Sequence, residues 1–297
     1  TSENRLSPLA AKACASDFYN RYFFDSAALW GESTFVGCKN FNAIHTDILT
    51  QGMKQLAESE FVNLRSISGL NCMTLVLAAY CKAGDAVFCL SSNLGAHSST
   101  QYIVEKLGLH FHTIKSQNIF DLDDEQFKKD LRLIQPRLIY IDQAYCLFPI
   151  DIQTLVECVK QCSPSTRIHV DSSHTNGLIF GKVLPNPLKA GADSFGGSTH
   201  KTFPGPHKAF VATNDPEVIR AIEDSAVHFV SHHHTGDALA LAITVYEFLH
   251  CQGDVYARQI VENARVFAEH LDQCGFDVVG KSHGYPHTHQ VMLDVSP

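Results

Sequence analysis

The sequence predicts an α/β fold of three layers, α/β/α, with a mostly parallel sheet, and two observations predict it. Short β-rich runs that are apolar almost throughout, as strands buried on both faces must be, recur between residues 85 and 213. Helical patterns separate most of them, the spacing of crossover connections. A chain of 297 residues, 45% of them hydrophobic, can also bury a large core.

In chain order, Ser68 and Gly69 form a turn that opens a helix read at 71–82. The strand DAVFCL (85–90) follows, then a helix at 98–107 and the strand HFHTI (110–114). A helix at 123–133 leads to the strand RLIYID (137–142), and a helix at 151–161 leads to RIHVD (167–171). ADSFGG (192–197) and KAFVAT (208–213) complete the strands, and helices at 216–227, 236–250 and 254–273 follow them. Asp215 before Pro216 is an N-cap followed by proline at the first helical position, and Ser163-Pro164 ends the helix before it. Residues 1–280 are read as one large domain. Residues 281–297, which end in the alternating run HQVMLDVSP, are read as the start of a truncated C-terminal domain.

Composition narrows the function classes. The formal charge is -8 with 23 Lys and Arg spread along the chain, which argues against nucleic acid as a partner. Ten cysteines without a CxxC pair suit reduced, buried thiols better than a disulfide scaffold or a zinc site, and no metal is expected. No apolar run approaches the ~20 residues of a membrane helix. With no signal-peptide pattern at the start, a cytoplasmic protein is expected.

Ligands of such sheets gather at the carboxyl ends of strands, and polar residues stand there. RIHVD ends in Asp171, with His174 three residues on; ADSFGG delivers Ser198, Thr199, His200 and Lys201. On their own, Asp171 and Lys201 are equally a structural ion pair, Ser68 an ordinary N-cap, and His97 in SSNLGAH a loop histidine. Taken together they describe one ligand. Free N–H groups at Ser68 and Gly69 suit a phosphate, the His97 imidazole a flat ring, Asp171 a cationic ring nitrogen, and the Lys201 amine an aldehyde. Pyridoxal 5'-phosphate has all four, and Lys201 would hold it as an aldimine.

The same residues carry a family resemblance. TSEN (1–4), SGLN (68–71), GAH (95–97), DSSHTNGLI (171–179) and STHKTFPGP (198–206) resemble, in order, motifs of serine hydroxymethyltransferase, a fold type I enzyme of the aspartate-aminotransferase-like class. The resemblance implies catalytic roles for Lys201, Asp171, His174 and His97. It implies cofactor binding by Ser68, Gly69, Leu70, His97, Gln143, Asp171, His174, Ser198, His200 and Lys201, and substrate binding by Ser2, Glu3, Tyr22 and His174. It implies a homodimer with shared active sites and a small amino-acid substrate of the serine, glycine or threonine type, cleaved by retro-aldol chemistry.

Departures qualify what carries over. Within YFFDSAALWGES (22–33), Tyr22 keeps its place, but Phe24 stands where the family has glutamate, and the following tyrosine pair is gone. Asp25 stands one position beyond it. Loss of that glutamate argues against tetrahydrofolate and for a folate-independent aldolase or transaldolase. Gln143 replaces a family serine, and SHHHTGD (231–237) replaces a glycine-rich segment that serves the neighbouring subunit. The histidine run is read as donors at a shared site mouth rather than as metal ligands. Transamination or racemisation on the same fold, and a non-catalytic dimer partner, are the alternative readings.

Overall fold

The computed structural model describes residues 3–24, 35–114 and 125–296. Among them, seven strands form one sheet in the order β1-β7-β6-β5-β4-β2-β3. These are β1 (Phe61–Asn63), β2 (Ala86–Cys89), β3 (His110–Thr113), β4 (Leu138–Asp142), β5 (Arg167–Asp171), β6 (Ser194–Ser198) and β7 (Ala209–Thr213). β2 to β6 pair in parallel, and β7 runs antiparallel between β6 and β1.

The alternation along β4 shows why the sheet is covered twice. Ile139 and Ile141 enter the larger core with Phe88, Ile168, Phe195 and Phe210, whereas Leu138 and Tyr140 enter a second core with Val87, Cys89 and Val211. Successive strand residues point to opposite faces, so both faces need apolar cover. The helix Gly69–Tyr80 supplies it on the second side, together with Val218 and Ile222 of the helix Pro216–Phe229. On the first side it comes from the helices Glu125–Ile134, Ile152–Cys162 and Thr235–His250. The three-layer α/β/α prediction therefore holds.

The predicted strands agree with these within a residue or two. Asp215 caps the helix at Pro216, accepting from Glu217 N at 2.8 Å, as its place before the proline predicts. The first predicted helix starts at Gly69 and ends at Tyr80, two residues earlier at each end. Among the described residues of HQVMLDVSP, Leu293–Asp294 pairs as a strand with Asp277–Val278. None of the ten cysteines is in a disulfide, and seven of them are buried. Among the described residues, no helix is long and apolar enough to cross a membrane.

Candidate active site

Because β4, β5 and β6 are parallel, their carboxyl ends Asp142, Asp171 and Ser198 reach one edge of the sheet. A cavity of about 280 Å³ lies there, lined by Ser68, Gly69, Leu70, His97, Gln143, Asp171, His174, Ser198, His200 and Lys201 among others. Every residue expected to bind a cofactor is in that wall.

Asp171 is held from two sides. Its Oδ1 accepts from Ser173 N at 2.9 Å and Ser173 Oγ at 2.5 Å, and its Oδ2 accepts from the Tyr140 hydroxyl at 2.7 Å. The Tyr140 ring is 1% exposed, and burial raises its phenol well above the ordinary range, so the shared proton stays on Tyr140. Gly197, at φ 122°, lets β6 pass this group, because a Cβ there would overlap both Asp171 Oδ1 and Ser173 Oγ.

Lys201 faces the same cavity with its ammonium disfavoured by burial, opposed by the charge of Asp171. The two form no ion pair, so the purely structural explanation of this lysine and aspartate does not apply. Asn4 Nδ2 donates to the Lys201 carbonyl at 2.8 Å and brings the N-terminal segment alongside. The ring of His200, preceding the lysine, lies tilted against that of His207, 3.9 Å between centroids. Burial lowers it to about 4, and its Nδ1 is buried without a partner.

Ser68 is the N-cap of the helix Gly69–Tyr80: its Oγ accepts from Asn71 N at 3.1 Å. The next two N–H groups, on Gly69 and Leu70, have no intrahelical acceptor and point out of the helix end. A Cβ at Gly69 would overlap Ser198 Oγ, so glycine is what lets this helix start close on β6. His97 is fixed at its backbone, its N–H donating to Asp142 Oδ2 at 3.0 Å. Its Nδ1 accepts from Ser99 N at 3.1 Å, which leaves the ring proton on Nε2.

His174 is 8% exposed and lowered to about 3, first by burial and then by Lys201 and neighbouring histidines. It is therefore a neutral imidazole, stacked on His289 at 5.8 Å. Gln290 Nε2 lies 3.4 Å from His174 Nδ1 and 2.8 Å from the Ala144 carbonyl, stitching the C-terminal segment to the site. The Gln143 amide is committed to its own loop, donating to Phe148 O at 3.2 Å and accepting from Ile150 N at 3.1 Å.

Not every expected residue arrives. Ser2 and Asp25 lie outside the described residues. Glu3 and Tyr22 are exposed and do not line this cavity; Tyr22 instead stacks on Phe35 at 4.9 Å and lies 4.2 Å from the His232 ring. The histidine run splits up. His232 and His234 stack at 5.0 Å, while His233 turns inward against His45 at 4.4 Å. No group of three or more His, Cys, Asp or Glu among the described residues could hold a metal ion.

The cavity residues fit pyridoxal phosphate: a helix start for the phosphate, a carboxylate for the ring nitrogen, and a half-buried amine for the aldehyde. The fold and this cavity define a fold type I pyridoxal-phosphate enzyme. Comparison with known proteins narrows that class. The family model for serine hydroxymethyltransferase matches residues 1–297, and the chain belongs to that family. An L-threonine:uridine-5'-aldehyde transaldolase from Streptomyces sp is 37% identical over 99% of this chain and 69% of its own length. The serine hydroxymethyltransferase of Staphylothermus marinus is 34% identical over 99% of this chain and 66% of its own length. The crystal structure of L-threonine transaldolase from Pseudomonas fluorescens in internal aldimine state superposes with a TM-score of 0.89, at 28% identity, over 99% of this chain and 68% of that one. The protein is thus a pyridoxal-phosphate-dependent enzyme of the serine hydroxymethyltransferase type.

Sequence reasoning missed Tyr140, Asp142, Ser173, His207, His289 and Gln290. For the first two the sequence shows only that they share a face, being two apart in an otherwise apolar strand; which strand lies beside them is set by the register.

Proposed function

We propose that this protein is a folate-independent transaldolase: it breaks the Cα–Cβ bond of a small β-hydroxy-α-amino acid such as threonine and joins the glycine unit to a second aldehyde. Phe24 carries this reading. It stands at the family's glutamate position and packs among Tyr22, Phe35 and His232, at 6.4, 5.6 and 6.1 Å between centroids. A phenyl ring offers no proton for the folate-linked step. The bound cofactor supplies an aldehyde for the amino group and a ring that accepts electrons from the bond broken at the α-carbon.

The chain's own groups prepare that chemistry. Lys201, poorly solvated as an ammonium, offers a free amine to the aldehyde and afterwards accepts or returns a proton. Asp171, held by Ser173 and Tyr140, would keep the ring nitrogen of the bound cofactor protonated, His97 would offer its imidazole to the ring, and the helix start at Gly69 and Leu70 would hold the phosphate. Neutral His174, in the same wall, would serve the substrate as a hydrogen-bonding group without charge.

Two surfaces support a homodimer with shared sites. Tyr22 and Glu3 do not serve the cavity of their own chain, and Leu9, Tyr19 and Tyr246 are more than half exposed. The test is to incubate the enzyme with L-threonine and an aromatic aldehyde, with and without tetrahydrofolate. Acetaldehyde and a new β-hydroxy amino acid are expected at the same rate in both. A strict requirement for tetrahydrofolate would overturn the reading.

A further inference from the structure

Asp142 ends β4 and lies outside every motif that carries the family resemblance. It is 3% exposed and lines the same cavity as Lys201 and Asp171. Its partner in the sheet register is Asp171 itself, so two carboxyl groups stand side by side on one face. Two adjacent carboxyls out of water cannot both carry charge cheaply, and hydrogen bonds decide which one does.

The count is uneven. Asp171 accepts three hydrogen bonds over both of its oxygens. Asp142 accepts two, from His97 N at 3.0 Å and from Thr100 Oγ1, and both fall on Oδ2. Its Oδ1 is buried without a partner. A bare buried carboxylate oxygen is costly, and a proton on it lowers that cost by removing the charge.

We propose that Asp142 is the positioning acid of this site: it anchors the His97 backbone through Oδ2 and holds a proton on Oδ1, leaving the negative charge of the pair to Asp171. The proposal rests on reading the cavity as the cofactor pocket. The carboxyl is pushed up to about 7, chiefly by burial, with the Thr100 hydroxyl opposing and Asp171 adding to it. Facing it are Asp171 and Tyr140 from the strands, Cys89 from β2 and His97 from its loop, with His174, His200 and Lys201 across the cavity. As pH rises through neutrality, a second negative charge appears beside the group that holds the ring nitrogen, in the residue that seats His97.

The experiment is pH-difference infrared spectroscopy on the cofactor-loaded enzyme, comparing wild type with Asp142→Asn and Thr100→Val. In wild type, one carboxylic-acid carbonyl stretch is expected to vanish as pH rises through about 7. Asp142→Asn should lack that band yet keep the cofactor, since its amide oxygen still accepts from His97 N–H. Thr100→Val removes a donor to the carboxylate and should move the midpoint up by about one pH unit. A band that persists in Asp142→Asn, or a midpoint that Thr100→Val leaves in place, overturns the proposal; should the asparagine variant not fold, the valine result decides. Failure of wild type to take up cofactor at Lys201 would sink the pocket assignment and this proposal with it. A loaded wild type without the titration sinks this proposal alone.

Discussion

Replacing Tyr140 by Phe deletes one hydroxyl and nothing else of the packing, and it measures how the site holds Asp171. The hydroxyl donates to Oδ2 at 2.7 Å inside a wall where the ring is 1% exposed. A hydrogen bond to a charged group contributes about 1.5–3 kcal/mol. In the free cavity water can take the vacated place at Asp171, whereas a bound ring shuts water out, so the loss falls chiefly on the loaded state. Cofactor affinity should therefore drop by about tenfold to a hundredfold. Ser173 still orients Oδ1 through two hydrogen bonds, so the aspartate keeps its place and the fold survives. The assay is spectrophotometric titration of cofactor-free protein with pyridoxal phosphate, with thermal unfolding run alongside to confirm that the variant is folded. A folded Tyr140→Phe protein that binds the cofactor within twofold of wild type would refute the reasoning.

Other perturbations test neighbouring parts of the account. Gly69→Ala drives a methyl group into Ser198 Oγ, so it should destabilise the protein by about 1–3 kcal/mol and loosen the cofactor; adding Ser198→Ala, which removes the obstructing oxygen, should restore both. Equilibrium urea unfolding and cofactor titration of the single and double variants check this. His169 is fully buried, with Nδ1 2.8 Å from Ser194 Oγ, and burial lowers it to about 4. The unfolded chain takes up that proton near pH 6.5, so the folded state should lose up to ~3 kcal/mol as pH falls from about 6.5 towards 4, and none of it above that range. The pH dependence of the urea midpoint should flatten in His169→Phe, and an unchanged slope would count against the buried-neutral assignment.

Much of the architecture was legible because the strands are short apolar runs divided by amphipathic helices. What escaped was non-local. Phe61–Asn63 is three residues long, too short to show a period, and becomes a strand by pairing with Val211–Thr213. The direction of β7 depends on the chain turning back through Pro204–Pro206, which no periodicity reports. In the site, Lys201, Asp171, His97 and the turn at Ser68 were readable because each lies at a strand end or helix start with its chemistry exposed in the local motif. Tyr140 and Asp142 were not, since their roles come from register: Asp142 opposite Asp171, and the Tyr140 hydroxyl under the next strand's carboxylate. His289 and Gln290 come from more than a hundred residues further along and meet His174 only in the folded chain. Glu3 and Tyr22 show the converse. Both residues keep their family positions in the sequence, yet neither side chain enters the cavity of its own chain.

We propose that Lys201 is the amine on which this enzyme's chemistry is built, and a second buried lysine makes the test sharp. Lys208, seven residues on, is 0% exposed and lowered to about 8, with Nζ 3.4 Å from the Arg65 carbonyl. Borohydride reduction of the cofactor-loaded protein, followed by peptide mass mapping, fixes the cofactor to whichever amine holds it. A single modified peptide carrying the label at Lys201 is expected, with the visible absorption bleached in step. A label on Lys208, or a protein that takes no label after incubation with pyridoxal phosphate, would contradict it.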